Sequence, residues 1–170
     1  MNRALLLAQL ATTLPLAGLI WTIQVVHYPL FDRVGASGFA AYHAAHAQRI
    51  TWLVAPLMLV ELAAALAWLG EPIERAPSWF APAMAALVGV AWVTTAFWSV
   101  PAHTHLEHAF DRGAYDRLVA TNWARTAAWT LRAALLLGLT ARELARPTPH
   151  ASTVTDAAPR ASHAATTTIE

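Results

Sequence analysis

Six of the eight histidines in this chain could meet at one site: His27, His43, His46, His103, His105 and His108 all sit at matching ends of long apolar stretches. Tyr42-His43-Ala44-Ala45-His46 sets two imidazoles three residues apart, on neighbouring positions of one helical face. That spacing suits two ligands of one metal, or ligands of two adjacent ions. His105 and His108 repeat the interval, with Glu107 between them. His103 and His105 can share a metal only if Pro101 keeps that stretch extended, because on a helix they diverge. His27 arrives from the first apolar stretch, with Gln24 one turn earlier. Neutral imidazole combined with carboxylate suits zinc, iron, copper or manganese, and facing helices can supply two axial imidazoles to a haem. The competing reading is a structural cap of interfacial histidines that hydrogen-bond among themselves. No metal-binding motif occurs intact, so the argument rests on position. His150 and His163 lie in the C-terminal tail and carry none of it.

The elements that must position these residues are membrane spans. The chain has 170 residues, 57% of them hydrophobic, and a mean hydropathy of +0.43, too apolar for an ordinary soluble domain. Residues 4–26 carry no charge, enough to cross a hydrocarbon core of about 30 Å at about 1.5 Å per residue. Residues 50–69 are interrupted only by Glu61, and residues 80–102 carry no charge. Residues 126–140 contain Arg132 and reach a spanning length only with their flanks. The first stretch is longer than a signal-peptide core and lacks a clear cleavage site, so it reads as a retained helix. The absence of cysteine excludes disulfides, thiolate metal sites and iron–sulfur clusters. A net charge of +1 gives no case for nucleic-acid binding.

The expected fold is all-α: a four-transmembrane-helix bundle in residues 1–146, with spans at about 4–27, 48–69, 80–101 and 123–142. A disordered tail is expected over residues 147–170, where Pro, Thr, Ser and Ala show no periodicity. Tyr28-Pro29 is expected to close the first helix, and Pro101 to end or kink the third. The second helix is expected to begin near Phe39 and the fourth near Ala114. Helices 2 and 4 would then extend beyond the membrane on the histidine side, carrying His43 and His46 in the overhang.

Two charges lie deep in this bundle. Glu61 follows His43 by five helical turns, on the same face. An intramembrane carboxylate is costly unless paired or protonated, and Arg132 is the other charge at comparable depth. An intramembrane Glu61–Arg132 ion pair is therefore expected, against the alternative of a proton relay or substrate contact. Nearer the mouth, Arg49, Asn122 and Arg125 stand among the histidines, placed to orient ligands or to hold an anionic or quinone-like substrate. Trp52, Trp79, Trp123 and Trp129 read as interfacial anchors.

The halves echo one another: Phe31-Asp32-Arg33 precedes the second helix and Phe110-Asp111-Arg112 the fourth. A duplication of this kind implies a pseudo-twofold axis along the membrane normal. Arginines flank both sides nearly evenly. If those near the histidines serve the site, the rest favour cytoplasmic termini and a periplasmic histidine cluster. All eleven basic residues are arginine and alanine is abundant, a composition typical of high-GC bacterial genomes, which points to the inner membrane.

The polar stretch beginning Val100-Pro101 and the helix start Asn122-Trp123-Ala124-Arg125-Thr126 resemble the anthrone oxygenase-like membrane proteins. The likeness covers mainly residues 100–140. The family has tryptophan before asparagine, the reverse of the order here, and the Tyr42-His43…His46…Arg49 pattern has no place in it. The resemblance implies oxygenase chemistry on an aromatic polyketide or other lipophilic ring compound.

The function expected from these readings is a membrane-embedded oxidoreductase or oxygenase, dependent on a transition metal (iron, copper or zinc) or haem, that acts on a lipophilic small molecule. Its ligands would come from His43, His46, His103, His105, His108, His27 and Glu107. Substrate-holding or supporting residues would be Arg49, Asn122, Arg125, Gln24 and Tyr42. The alternatives are a non-enzymatic scaffold or accessory subunit with a histidine cap, and a metal-handling or transport protein. The lipid bilayer is the expected partner, with homo-oligomerisation open.

Overall fold

The computed structural model describes residues 2–70, 73 and 76–145, and all its regular elements are helices. The tail expected to be disordered lies outside the described residues. Four long helices form the fold: α1 (Arg3–Phe31), α2 (Ala36–Leu69), α3 (Phe80–Leu106) and α4 (Arg112–Leu144). α1, α2 and α3 are long and apolar enough to cross a membrane. They are also sparsely buried, with Trp52, Leu7, Phe97 and Val25 facing outward. An apolar exterior of this extent is what a lipid environment accommodates.

The helices close into a ring, α1 beside α2, α2 beside α3, α3 beside α4 and α4 back against α1. Local chemistry starts two of them. The Asn2 side chain accepts from the Ala4 and Leu5 amides, and the Asp111 carboxylate accepts from the Ala114 amide at 2.6 Å, satisfying donors that have no intrahelical partner. α2 begins at Ala36 and α4 at Arg112, both earlier than expected from the apolar pattern. At 34 and 33 residues they outreach α1 and α3.

The prolines act differently from expectation. Pro29 and Pro101 neither close nor break their helices. Each follows a π-helical turn, Ile23–His27 in α1 and Thr95–Ser99 in α3, after which the helix resumes. Proline lacks the N–H of a regular turn. The wider turn lets the Tyr28 amide reach the Ile23 carbonyl and the Val100 amide reach the Thr95 carbonyl. Both π turns stand two residues before their proline, so the echo between the halves extends to this device.

The interior is layered. At the end remote from the histidines, Leu6, Trp68, Phe80, Met84 and Leu136 pack together. Leu16, Ile20, Met58, Ala91 and Trp129 form the middle. Tyr28, Phe31, Phe39, Leu106 and Leu118 form the histidine end. Glu61 and Arg132, both fully buried, bridge α2 and α4 at 3.0 Å, as the sequence predicts. Glu61 also accepts from Thr13 of α1 at 2.6 Å and from Trp129 Nε1 at 2.9 Å. Arg132 donates to Gln9 of α1 at 2.6 Å and to the Met84 carbonyl of α3. All four helices therefore meet at one ion pair. Trp129, expected as an interfacial anchor, is instead a core residue at 1% exposure, while Trp52, Trp79 and Trp123 are exposed.

Candidate functional site

Four of the six expected histidines converge. His27 comes from the π turn of α1, His43 and His46 from α2, and His103 from α3 just past its π turn. His27 Nε2 lies 2.8 Å from His46 Nδ1, and His43 Nε2 lies 2.9 Å from His103 Nδ1. The pairs adjoin, with ring centroids 6.3 Å apart for His43 and His46 and 5.9 Å for His46 and His103. Phe39 stacks on His43, and Phe31 meets His46 edge to face. Each pair is joined by one N–H and one lone pair, so a pair holding two imidazolium rings would lose its bond. Among the described residues, no three His, Asp or Glu side chains are arranged around a single metal position. The imidazoles meet two by two.

The other expected ligands stay outside. α3 remains helical through Leu106, so His105 diverges from His103 and lines a surface hollow with Phe97 and Arg117. His108 and Glu107 are exposed at the end of α3, although Glu107 is within electrostatic reach of His43. Arg49 and Tyr42 are also exposed, and with His27 and His46 they border an outer hollow.

From His103 a hydrogen-bonded chain runs into the bundle. His103 Nε2 lies 3.4 Å from the Tyr28 hydroxyl, which accepts from Arg125 Nη2 at 3.4 Å. Arg125 also donates to the Asn122 side-chain carbonyl, and through Nη1 to Thr95 Oγ1 at 3.5 Å. Asn122 donates to Gln24 Oε1 at 2.6 Å, and Gln24 to the Val119 carbonyl at 3.4 Å. One orientation satisfies most of the chain: Tyr28 O–H to His103 Nε2, then His103 Nδ1–H to His43 Nε2. His43 Nδ1 is left buried without a partner.

Both π turns feed this network. Gln24 and His27 belong to the first and Thr95 to the second, where Ser99 lines the adjoining cavity. Turns of this kind recur at functional sites because they re-aim side chains within a continuous helix. Tyr28, Thr95 and Ser99 escaped the sequence reading, and the one signal for them was their nearness to Pro29 and Pro101.

The network borders a cavity of about 230 Å³ between the helices. Its walls are apolar, including Leu16, Ile20, Val54, Met58 and Trp129. Tyr28, His46, His103, Thr95 and Arg125 supply its polar lining. Outside the bundle, Arg112 joins the start of α4 to the α1–α2 connection through Asp32 at 2.9 Å. That hydrogen bond raises the Arg112 pKa, helped by the Asp116 charge. Burial raises the neighbouring Tyr115 phenol, with Asp32 adding to the effect and Arg112 opposing it.

No protein-family model, curated protein or solved structure matches the chain.

Proposed function

We propose that the protein is a membrane-embedded oxidoreductase that takes a lipophilic molecule into the interhelical cavity and acts on it beside the histidines. One observation carries this reading: a single apolar cavity is lined at once by hydrocarbon walls and by Tyr28, His46, His103 and Arg125. Concave apolar space with a few convergent polar groups is the usual form of a small-molecule site. The hydrogen-bonded chain from Arg125 through Tyr28 and His103 to His43 gives such a molecule proton donors and acceptors inside the bundle.

A transition metal or haem would be held by His27, His43, His46 and His103 and would supply the redox chemistry. The paired nitrogens, 2.8 and 2.9 Å apart, are at hydrogen-bond distance and would open to about 3.3 Å to serve as tetrahedral ligands of a metal at about 2.0–2.1 Å. A third ligand would come from the adjoining pair, since the ring centroids of contacting neighbours lie 4.3 to 6.3 Å apart. The resemblance to anthrone oxygenase-like proteins agrees with oxidation of a lipophilic ring compound.

In this reading α4 is a fourth crossing, in a bacterial inner membrane, with cytoplasmic termini and a periplasmic histidine cluster. Its support is that α4 lies along α1 and α3 and turns Arg125 and Arg132 inward. These two charges therefore face protein rather than lipid.

Elemental analysis and an optical spectrum of the untagged, detergent-purified chain test the proposal, beside a His43→Ala/His46→Ala double variant. Near-stoichiometric iron, copper or zinc, or a Soret band, lost in the variant, is expected. Protein that is metal-free and colourless, and that refuses added iron, copper, zinc and haem, would sink the redox reading. The histidines would then be a structural cap, a role their pairwise hydrogen bonding also suits.

A further inference from the structure

Arg125 and Arg132 lie seven residues apart on one face of α4, and both turn into the bundle, at 7% and 0% exposure. Arg132 is fully compensated, by the Glu61 carboxylate, the Met84 carbonyl, Gln9 and Thr13. Arg125 is not. Among the described residues no carboxylate pairs with it, and its partners Tyr28, Asn122 and Thr95 are neutral oxygens. Its Nε is buried without an acceptor. A second unpaired donor, the buried Trp92 Nε1, belongs to a residue lining the same cavity. The titratable groups lining the cavity with Arg125 are Tyr28 of α1, His46 of α2 and His103 of α3, and none is a carboxylate.

A cation withdrawn from water demands a counter-charge, and buried N–H groups demand acceptors. An ionised carboxylate offers both, being acceptor-only, singly negative and planar like the guanidinium it would meet. A neutral alcohol supplies no charge, and a quinone carbonyl accepts without compensating the cation. We infer that the cavity binds a lipophilic carboxylic acid, its carboxylate on Arg125 and its hydrocarbon body along Leu16, Ile20, Val54 and Met58. This rests on the reading of the cavity as the substrate site and narrows the substrate to an acid.

The test compares decanoate with 1-decanol by titration calorimetry on the full chain in mild detergent, using the wild type, Arg125→Gln, Arg125→Lys and Trp92→Phe. Decanoate is expected to bind at least about tenfold more tightly than decanol to the wild type. Arg125→Gln should erase that preference and Arg125→Lys should keep most of it. Trp92→Phe should weaken decanoate more than decanol, which keeps the comparison decisive if Arg125→Gln fails to fold. Equal binding of the two probes to the wild type, or a preference that survives Arg125→Gln, overturns the acid and leaves the cavity as a substrate site. Failure of both probes to bind the wild type removes the cavity reading as well.

Discussion

Glu61 and Arg132 are each expensive alone and tolerable together. The pair is fully buried, so removing one partner strands a charge and costs more than the pair contributes. Glu61→Gln leaves Arg132 without a counter-charge and turns an amide N–H₂ toward Thr13, Trp129 or Arg132, all donors to the present carboxylate. It should destabilise the protein by about 3–5 kcal/mol in reversible unfolding from detergent. The double change Glu61→Leu/Arg132→Leu should recover much of that loss, because it removes both desolvation penalties. If the double variant is no more stable than Glu61→Gln, the pair is not what couples the two positions. The Arg112–Asp32 bridge is mostly exposed, where solvent screens the attraction, and Arg112→Ala should leave the melting temperature unchanged. Of the expected site residues, the ion pair was legible because two charges stood alone in apolar surroundings. His105 and His108 could not be sorted from His103 in the same way, since that depended on whether Pro101 broke the helix.

At the level of elements, the π turns decide the geometry. Each inserts an extra residue into a turn, which changes the azimuth of everything after it by roughly 100° relative to an unbroken α-helix. Tyr28 and His103 both lie just beyond such a turn. Deleting Ala96 should restore a regular turn in α3 and keep His103 at its present azimuth, because the wide turn already absorbs one residue. Side-chain nitrogen NMR of the histidines should then keep both the His43–His103 and the His27–His46 couplings. Loss of the His43–His103 coupling would mean the π turn does not act as a one-residue insertion. The sequence marks both places with proline, and it supports reading a helix end there equally well. What keeps each helix going is packing against its neighbours, which helix-breaking propensity does not report.

The whole molecule is a ring of four helices, which the proposal sets in a bilayer. Three helices have spanning length and hydropathy, and the proposal makes α4 the fourth. Single cysteines at Gly35 and Ala109 should react with an impermeant maleimide from one side of sealed vesicles. Cysteines at Ser78 and Ala145 should react only from the other. Labelling of positions 109 and 145 from the same side would remove the fourth crossing. The same arrangement explains the exposed Trp52, Leu7 and Phe97, which water would penalise and lipid does not.

The sequence alone determined that the chain is helical and apolar, with long uncharged stretches on three helices and two lone charges, Glu61 and Arg132, between two of its helices. Those features are written in composition and period, which act locally along the chain. Only the tertiary structure decided which histidines meet, because His27, His43, His46 and His103 come from three helices whose rotations depend on two π turns. It alone also distinguished Arg132, which has a carboxylate, from Arg125, which lacks one, since a counter-charge is a relation between helices and leaves no mark on either residue's own neighbours in sequence.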